Sequence, residues 1–150
     1  MKHRYSYSLL IVIGSIILMT ACSKGGGTAY NPGGGGSDPH VYTPSDTTAP
    51  TLDIYTPVLN QVFISGNAIN VTGRISDDLG LYQGTVKIIN DADGSVIKQQ
   101  QYEIHGLLSY DFAMSYVATV TTASNYTVTV TFNDHGLNAT TKTVKIKVNP

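Results

Sequence analysis

Few side chains in this sequence are able to do chemistry. Ten carboxylates, nine Lys or Arg and four His are spread over 150 residues, and cysteine occurs once, as Cys22. The grouped carboxylates are Asp77 and Asp78 in Asp77-Asp78-Leu79-Gly80, Asp134 in Asn133-Asp134-His135-Gly136, and Asp91 and Asp93 in Asp91-Ala92-Asp93-Gly94. Oxygen-rich sets of this kind suit Ca2+, which takes about six to eight oxygen ligands. The same tetrapeptides also suit turns, because Asp accepts hydrogen bonds from the backbone two residues on. Asp91 to Gly94 begins like an EF-hand, but Tyr102 stands where the bidentate Glu is required, so it reads as a hairpin turn. His40, His105 and His135 lie far apart, with no His-Glu-x-x-His, which excludes a zinc-protease site. There is no Gly-x-Ser-x-Gly elbow, and the only glutamate, Glu103, has no carboxylate partner in a motif. A hydrolase acting through Asp77, Asp134 or Glu103 is the weakest of the available readings.

The remaining reactive group, the Cys22 thiol, ends a stretch with its own logic. Lys2 and Arg4 precede an apolar run from Leu9, and small residues follow, the layout of a secretory signal. Leu9 to Ala21 holds 13 residues, fewer than the roughly 20 that a membrane-spanning helix needs. Cleavage before Cys22 leaves 150 − 21 = 129 residues with 9 − 2 = 7 basic and 10 acidic side chains, a charge of −3. Such a chain is too acidic to track phosphates, and nucleic acid is excluded as a partner. A single cysteine allows no disulfide within the chain, so the core must hold the domain unaided.

The elements that would position the acidic groups begin after a tether. Residues 22–49 carry Gly25-Gly26-Gly27 and Gly33-Gly34-Gly35-Gly36, with Pro32, Pro39 and Pro44. They hold too few apolar residues to offset the entropy of ordering. Twenty-seven residues from Ser23 to Ala49 span roughly 30 Å as a coil. From Pro50 the pattern becomes period two, the mark of half-buried strands. Leu52 and Ile54 open it, and Val62 and Ile64 form a short second piece. Ile69, Val71 and Ile75 follow, then Val86 and Ile88. Val96 to Ile104 is polar, with Lys98 and Gln99 to Gln101, and reads as an edge strand. Three further sets each share one face: Tyr110, Phe112, Met114 and Tyr116; Tyr126, Val128, Val130 and Phe132; Val144, Ile146 and Val148. Tyr55, Tyr82 and Tyr102 are expected on outer faces or edges. No helical period occurs after Cys22. About seven short strands in residues 50–150 predict an all-β immunoglobulin-like β-sandwich.

Two resemblances add to this reading. Met19-Thr20-Ala21-Cys22 resembles the bacterial lipobox, in which the cysteine is lipidated after cleavage. This implies lipid on Cys22, and Ser23 after it implies export to the outer membrane. Pro50-Thr51-Leu52-Asp53-Ile54 with Pro57, Ile69-Asn70-Val71-Thr72-Gly73 with Asp77-Asp78, and Asn125 to Val130 with Asn133 to Asn138 resemble the strands and loops of short Ig-like lipoproteins of Bacteroidota. The resemblance implies an Ig-like fold, an envelope location and Tyr126 as a tyrosine corner. Asp46-Thr47-Thr48 is similar to the O-glycosylation acceptor pattern of such proteins, with Thr47 as the acceptor.

An Ig-like sandwich brings the start of its first strand, the loop after its second strand and the loop before its last strand to one end. Asp46, Asp77, Asp78 and Asp134 are therefore expected together, as a set of Ca2+ ligands. The expected organisation is a signal over 1–21, a lipidated tether over 22–49 and a sandwich over 50–150. The leading functional expectation is a non-catalytic outer-membrane lipoprotein that meets a protein or glycan partner, and the alternative is a calcium-stabilised adhesion module.

Overall fold

The computed structural model describes residues 43–150, so Cys22, His40 and the expected signal lie outside the described residues. Eight strands occur there and no helix. They are β1 (Thr51–Thr56), β2 (Gln61–Ile64), β3 (Ala68–Ser76), β4 (Leu81–Asn90), β5 (Val96–Glu103), β6 (Ser109–Val117), β7 (Ser124–Asp134) and β8 (Ala139–Asn149). One sheet has the order β1-β3-β6 and the other β2-β8-β7-β4-β5. All pairs are antiparallel except β2 with β8. In the letters used for immunoglobulin-like sandwiches, β1, β3 and β6 are A, B and E. β4, β5, β7 and β8 are C, C′, F and G, and β2 is the part of the first strand that changes sheets. Buried Pro57, reached through a cis peptide bond from Thr56, lies at that change. The fold is the expected one, with an eighth strand.

Period-two patterning explains the core. Val128, Val130 and Phe132 of β7 are fully buried, and Thr127, Thr129 and Thr131 alternate with them at half-exposed positions. Leu52, Ile69, Val71, Ile75, Phe112 and Met114 face them from the first sheet. Phe112 and Phe132 meet at the centre with ring centroids 5.3 Å apart. Two strand-interior glycines make this pair fit. A Cβ on Gly73 would lie 2.4 Å from Phe112, and one on Gly84 would lie 2.0 Å from Phe132. Neither separation is physically available to a real side chain.

Two placements are decided by contacts between strands. In β2 the inward residue is Phe63, while Val62 and Ile64 are 54% and 51% exposed. The parallel register sets Phe63 beside buried Val148, which fixes its parity. Tyr102 lies in edge strand β5, one of the two places expected for it, but its ring is buried and its hydroxyl donates to the Ala113 carbonyl at 2.8 Å. That bond joins edge strand β5 to edge strand β6 across the open side of the sandwich, and burial pushes the phenol up to about 12. β5 itself lies at the sheet edge as its polar sequence predicts.

Candidate functional site

The segment ahead of β1 folds back on one end of the sandwich. The Thr43 amide donates to the His135 carbonyl at 3.0 Å, and the Thr140 hydroxyl donates to the Pro50 carbonyl at 2.5 Å. The His135 amide in turn donates to the Gly80 carbonyl at 3.1 Å. Residues 43–50, the β3–β4 loop and the β7–β8 loop are thus knitted through the backbone of one residue. Among the described residues, contacts with the sandwich reach back to Thr43.

This arrangement brings Asp46, Asp77 and Asp134 together, each with a carboxylate oxygen within 4.8 Å of the others. Asp46 is 4% exposed and Asp134 is fully buried. Asp46 and Asp77 each use one oxygen locally, as turn formers do, and Asp134 uses both. Asp77 Oδ1 accepts from the amides of Leu79 and Gly80, at 3.0 and 2.7 Å. Asp46 Oδ1 accepts from the Thr48 amide at 3.1 Å. Asp134 accepts from the Asn138 amide on Oδ1 and from Asn138 Nδ2 on Oδ2, both at 2.9 Å. The other oxygens of Asp46 and Asp77 are buried and accept no hydrogen bond. In Asp46 and Asp77 the oxygen that the turn leaves over is therefore the one open to a ligand.

No cation balances this charge among the described residues. The ion pairs there are Arg74 with Asp111, Lys142 with Asp53, Lys145 with Asp91 and His105 with Glu103, none of them at the trio. Burial pushes the Asp77 carboxyl up, against the two backbone amides that hold it down, and the charges of Asp46 and Asp134 push it further. Two unit charges 4 Å apart repel by about 4 kcal/mol in a partly buried setting.

The donor set fits a hard cation. All three ligands offer oxygen, with no thiolate and no imidazole among them, which selects Ca2+ or Mg2+ over the softer metals. Oxygens on one Ca2+ lie at most about 5 Å apart, so a trio within 4.8 Å is inside its reach, and Ca2+ tolerates irregular geometry better than Mg2+. A groove of about 400 Å³ lined by Thr48, Ala49, Thr51, Ser76, Asp77 and Asp78 leads to Asp77 from solvent.

Other expected site residues are placed differently. Asp78 is exposed on the outer side of its loop and does not join the trio. Its neighbour Asp77 turns inward because Leu79 and Gly80 bind it. Thr47 is exposed beside Asp46, as an acceptor position requires. The Tyr126 ring is buried in β7, and no hydrogen bond from its hydroxyl joins the upstream backbone among the described residues. Asp93 stabilises its own turn, and Asp91 ties that turn to β7 and β8. Asp91 accepts from Thr127 and Lys145, at 2.6 and 2.9 Å, and Asp93 from the Ser95 hydroxyl at 2.7 Å. Glu103 lies 3.2 Å from His105 Nε2, apart from the trio. Asn138 was not legible as a site residue. Its Nδ2 bridges Asp134 and the Asp46 carbonyl, the latter at 3.1 Å, and only its four-residue spacing from Asp134 hints at this.

No family model and no curated protein matches the sequence. Among solved structures, the chain is similar to fibronectin(III)-like modules of Clostridium thermocellum CbhA. That likeness has 24% identity and a TM-score of 0.43 over 67% of this chain and 46% of that one. It is also similar to the CARDB domain of a Pyrococcus furiosus protein in complex with di-metal ions. There the identity is 13% and the TM-score 0.42, over 67% of this chain and 94% of that one. The chain thus spans about half the length of the first. The immunoglobulin-like reading rests on the strand order and register described above.

Proposed function

We propose that this chain is a non-catalytic Ig-like module held to a bacterial outer membrane by lipid on Cys22, which presents its sandwich to a protein or glycan partner. The observation that supports the reading is a sandwich approached by a glycine- and proline-rich run whose head is the chain's only cysteine, placed after a short apolar stretch. More than one acyl chain would hold it, since a single chain anchors only marginally. The outer face of the larger sheet carries a polar groove of about 250 Å³ with Gln83, Thr85, Gln101, Thr131 and Asn133, groups suited to a hydroxyl-rich or polar partner. Replacing Cys22 with Ala is expected to release the mature domain from membranes or to leave uncleaved precursor. A cleaved Cys22→Ala protein that still sediments with membranes would overturn the anchor.

A second reading is favoured by the carboxylate trio: the module is calcium-stabilised. Asp46, Asp77 and Asp134 would hold the ion, with backbone carbonyls and water completing its shell. Binding to the folded state alone must raise stability. The full-length protein in detergent is expected to melt at higher temperature in millimolar calcium than in chelator, and equal melting temperatures would remove this reading.

A further inference from the structure

The three carboxylates of the trio are not anchored alike. Asp77 closes β3 and is held by two loop amides, and Asp134 closes β7 and is held twice by Asn138. Asp46 lies on no strand. It belongs to the segment through which the chain arrives, and among the described residues its one side-chain hydrogen bond is from the Thr48 amide of the same segment. That segment touches the sandwich through the polar contacts of Thr43, Pro50 and the Asp46 carbonyl. Without a cation, the Asp46 carboxylate is pushed off the sandwich by two others, and its segment is the cheapest of the three elements to release.

A second observation points to a ligand independently of the clustering. Asp46 is 4% exposed, yet its Oδ2 accepts no hydrogen bond. Burying an ionised oxygen without a partner costs several kcal/mol, and a buried carboxylate finds that partner in a cation or in a proton. Close packing holds the residue there. Gly136 lies against it so closely that a Cβ there would stand 2.9 Å from Asp46 Cβ and 2.6 Å from the Asp46 carbonyl oxygen.

We propose that a divalent cation, Ca2+ by its fit to the trio, is a latch. When bound it holds residues 43–50 on the end of the sandwich, and when lost it frees them. This rests on the calcium reading above and extends it to regulation. Releasing residues 43–50 adds roughly 25 Å of extended chain between the sandwich and whatever holds its N-terminus. Calcium thereby sets how far and in which directions the sandwich reaches.

The test is amide hydrogen exchange by mass spectrometry on the full-length protein in detergent, in calcium and in chelator, beside a calorimetric calcium titration. The reporting amides are those of Thr43, Asp46 and Thr48, each of which donates a hydrogen bond in the docked state. At calcium ten times its Kd, their exchange is expected to slow about tenfold, as protection scales with one plus the ratio of ligand to Kd. Asp46→Asn is expected to abolish that response. Gly136→Ala, which removes no carboxylate but crowds Asp46, is expected to leave residues 43–50 unprotected even in calcium. A titration with no heat and no exchange change overturns the calcium site and the latch together. Calcium binding with unchanged exchange over 43–50 overturns the latch and leaves the site. Exchange over 43–50 that is as slow in chelator as that of the strands overturns it too, since the segment would then leave only when the whole sandwich unfolds.

Discussion

Two glycines decide how the centre of this molecule packs. Gly73 and Gly84 lie opposite each other, one in each sheet, and the rings of Phe112 and Phe132 occupy the space that their missing side chains leave. Glycine inside a strand is unfavourable by itself, because it loses more conformational freedom on folding. Here that cost is offset by two large rings in contact. Gly84→Ala would place its methyl inside the Phe132 ring, so the ring or the strand must move. Overpacking of this kind typically costs about 1–3 kcal/mol, and chemical denaturation should show the midpoint falling with an unchanged slope. A variant as stable as the parent would mean that the rings do not meet as described.

At the scale of elements, β3 and β6 are matched by charge as well as by hydrogen bonds. Their register sets Arg74 opposite Asp111, and the guanidinium donates to both carboxylate oxygens at 2.7 Å. The Arg74 hydrogen bonds, then its charge, hold the Asp111 carboxyl below its ordinary 3.8 and push the guanidinium's own pKa up. A carboxyl that is more acidic when folded contributes stability above its unfolded value and loses that contribution as pH falls through its folded value. Both groups are exposed, so the effect is small and screened by salt. The melting temperatures of the parent and Asp111→Asn should differ at neutral pH and converge below pH 3.8. A gap that persists in strong acid would assign the pair a packing role instead.

The whole molecule is organised by which loops share an end. Its Greek-key order carries the β3–β4 and β7–β8 loops to the place where the chain enters, and one cation there would touch all three. Under the proposed latch, the entering segment and the sandwich would behave as one body in calcium and as two in chelator. Stability and reach are therefore expected to change together. The melting comparison and the exchange experiment separate these consequences, because one reads the sandwich and the other reads residues 43–50.

Period-two patterning alone determined that β6, β7 and β8 are strands and which of their residues share a face, since alternate side chains must point to opposite sides. Composition marked β5 as an edge, and turn chemistry located the loops that carry Asp77, Asp91 and Asp134. Parity cannot say which face turns inward when both are apolar. Phe63 rather than Val62 and Ile64 was settled by pairing with β8. Nor does Asp77-Asp78 tell which carboxylate enters the site, a choice made by the Leu79 and Gly80 amides. The room made by Gly73 and Gly84, the inward turn of Tyr102 and the docking of residues 43–50 are contacts between segments far apart in the chain. Only the tertiary structure decides them, because each depends on what stands opposite in space and not on what stands next in sequence.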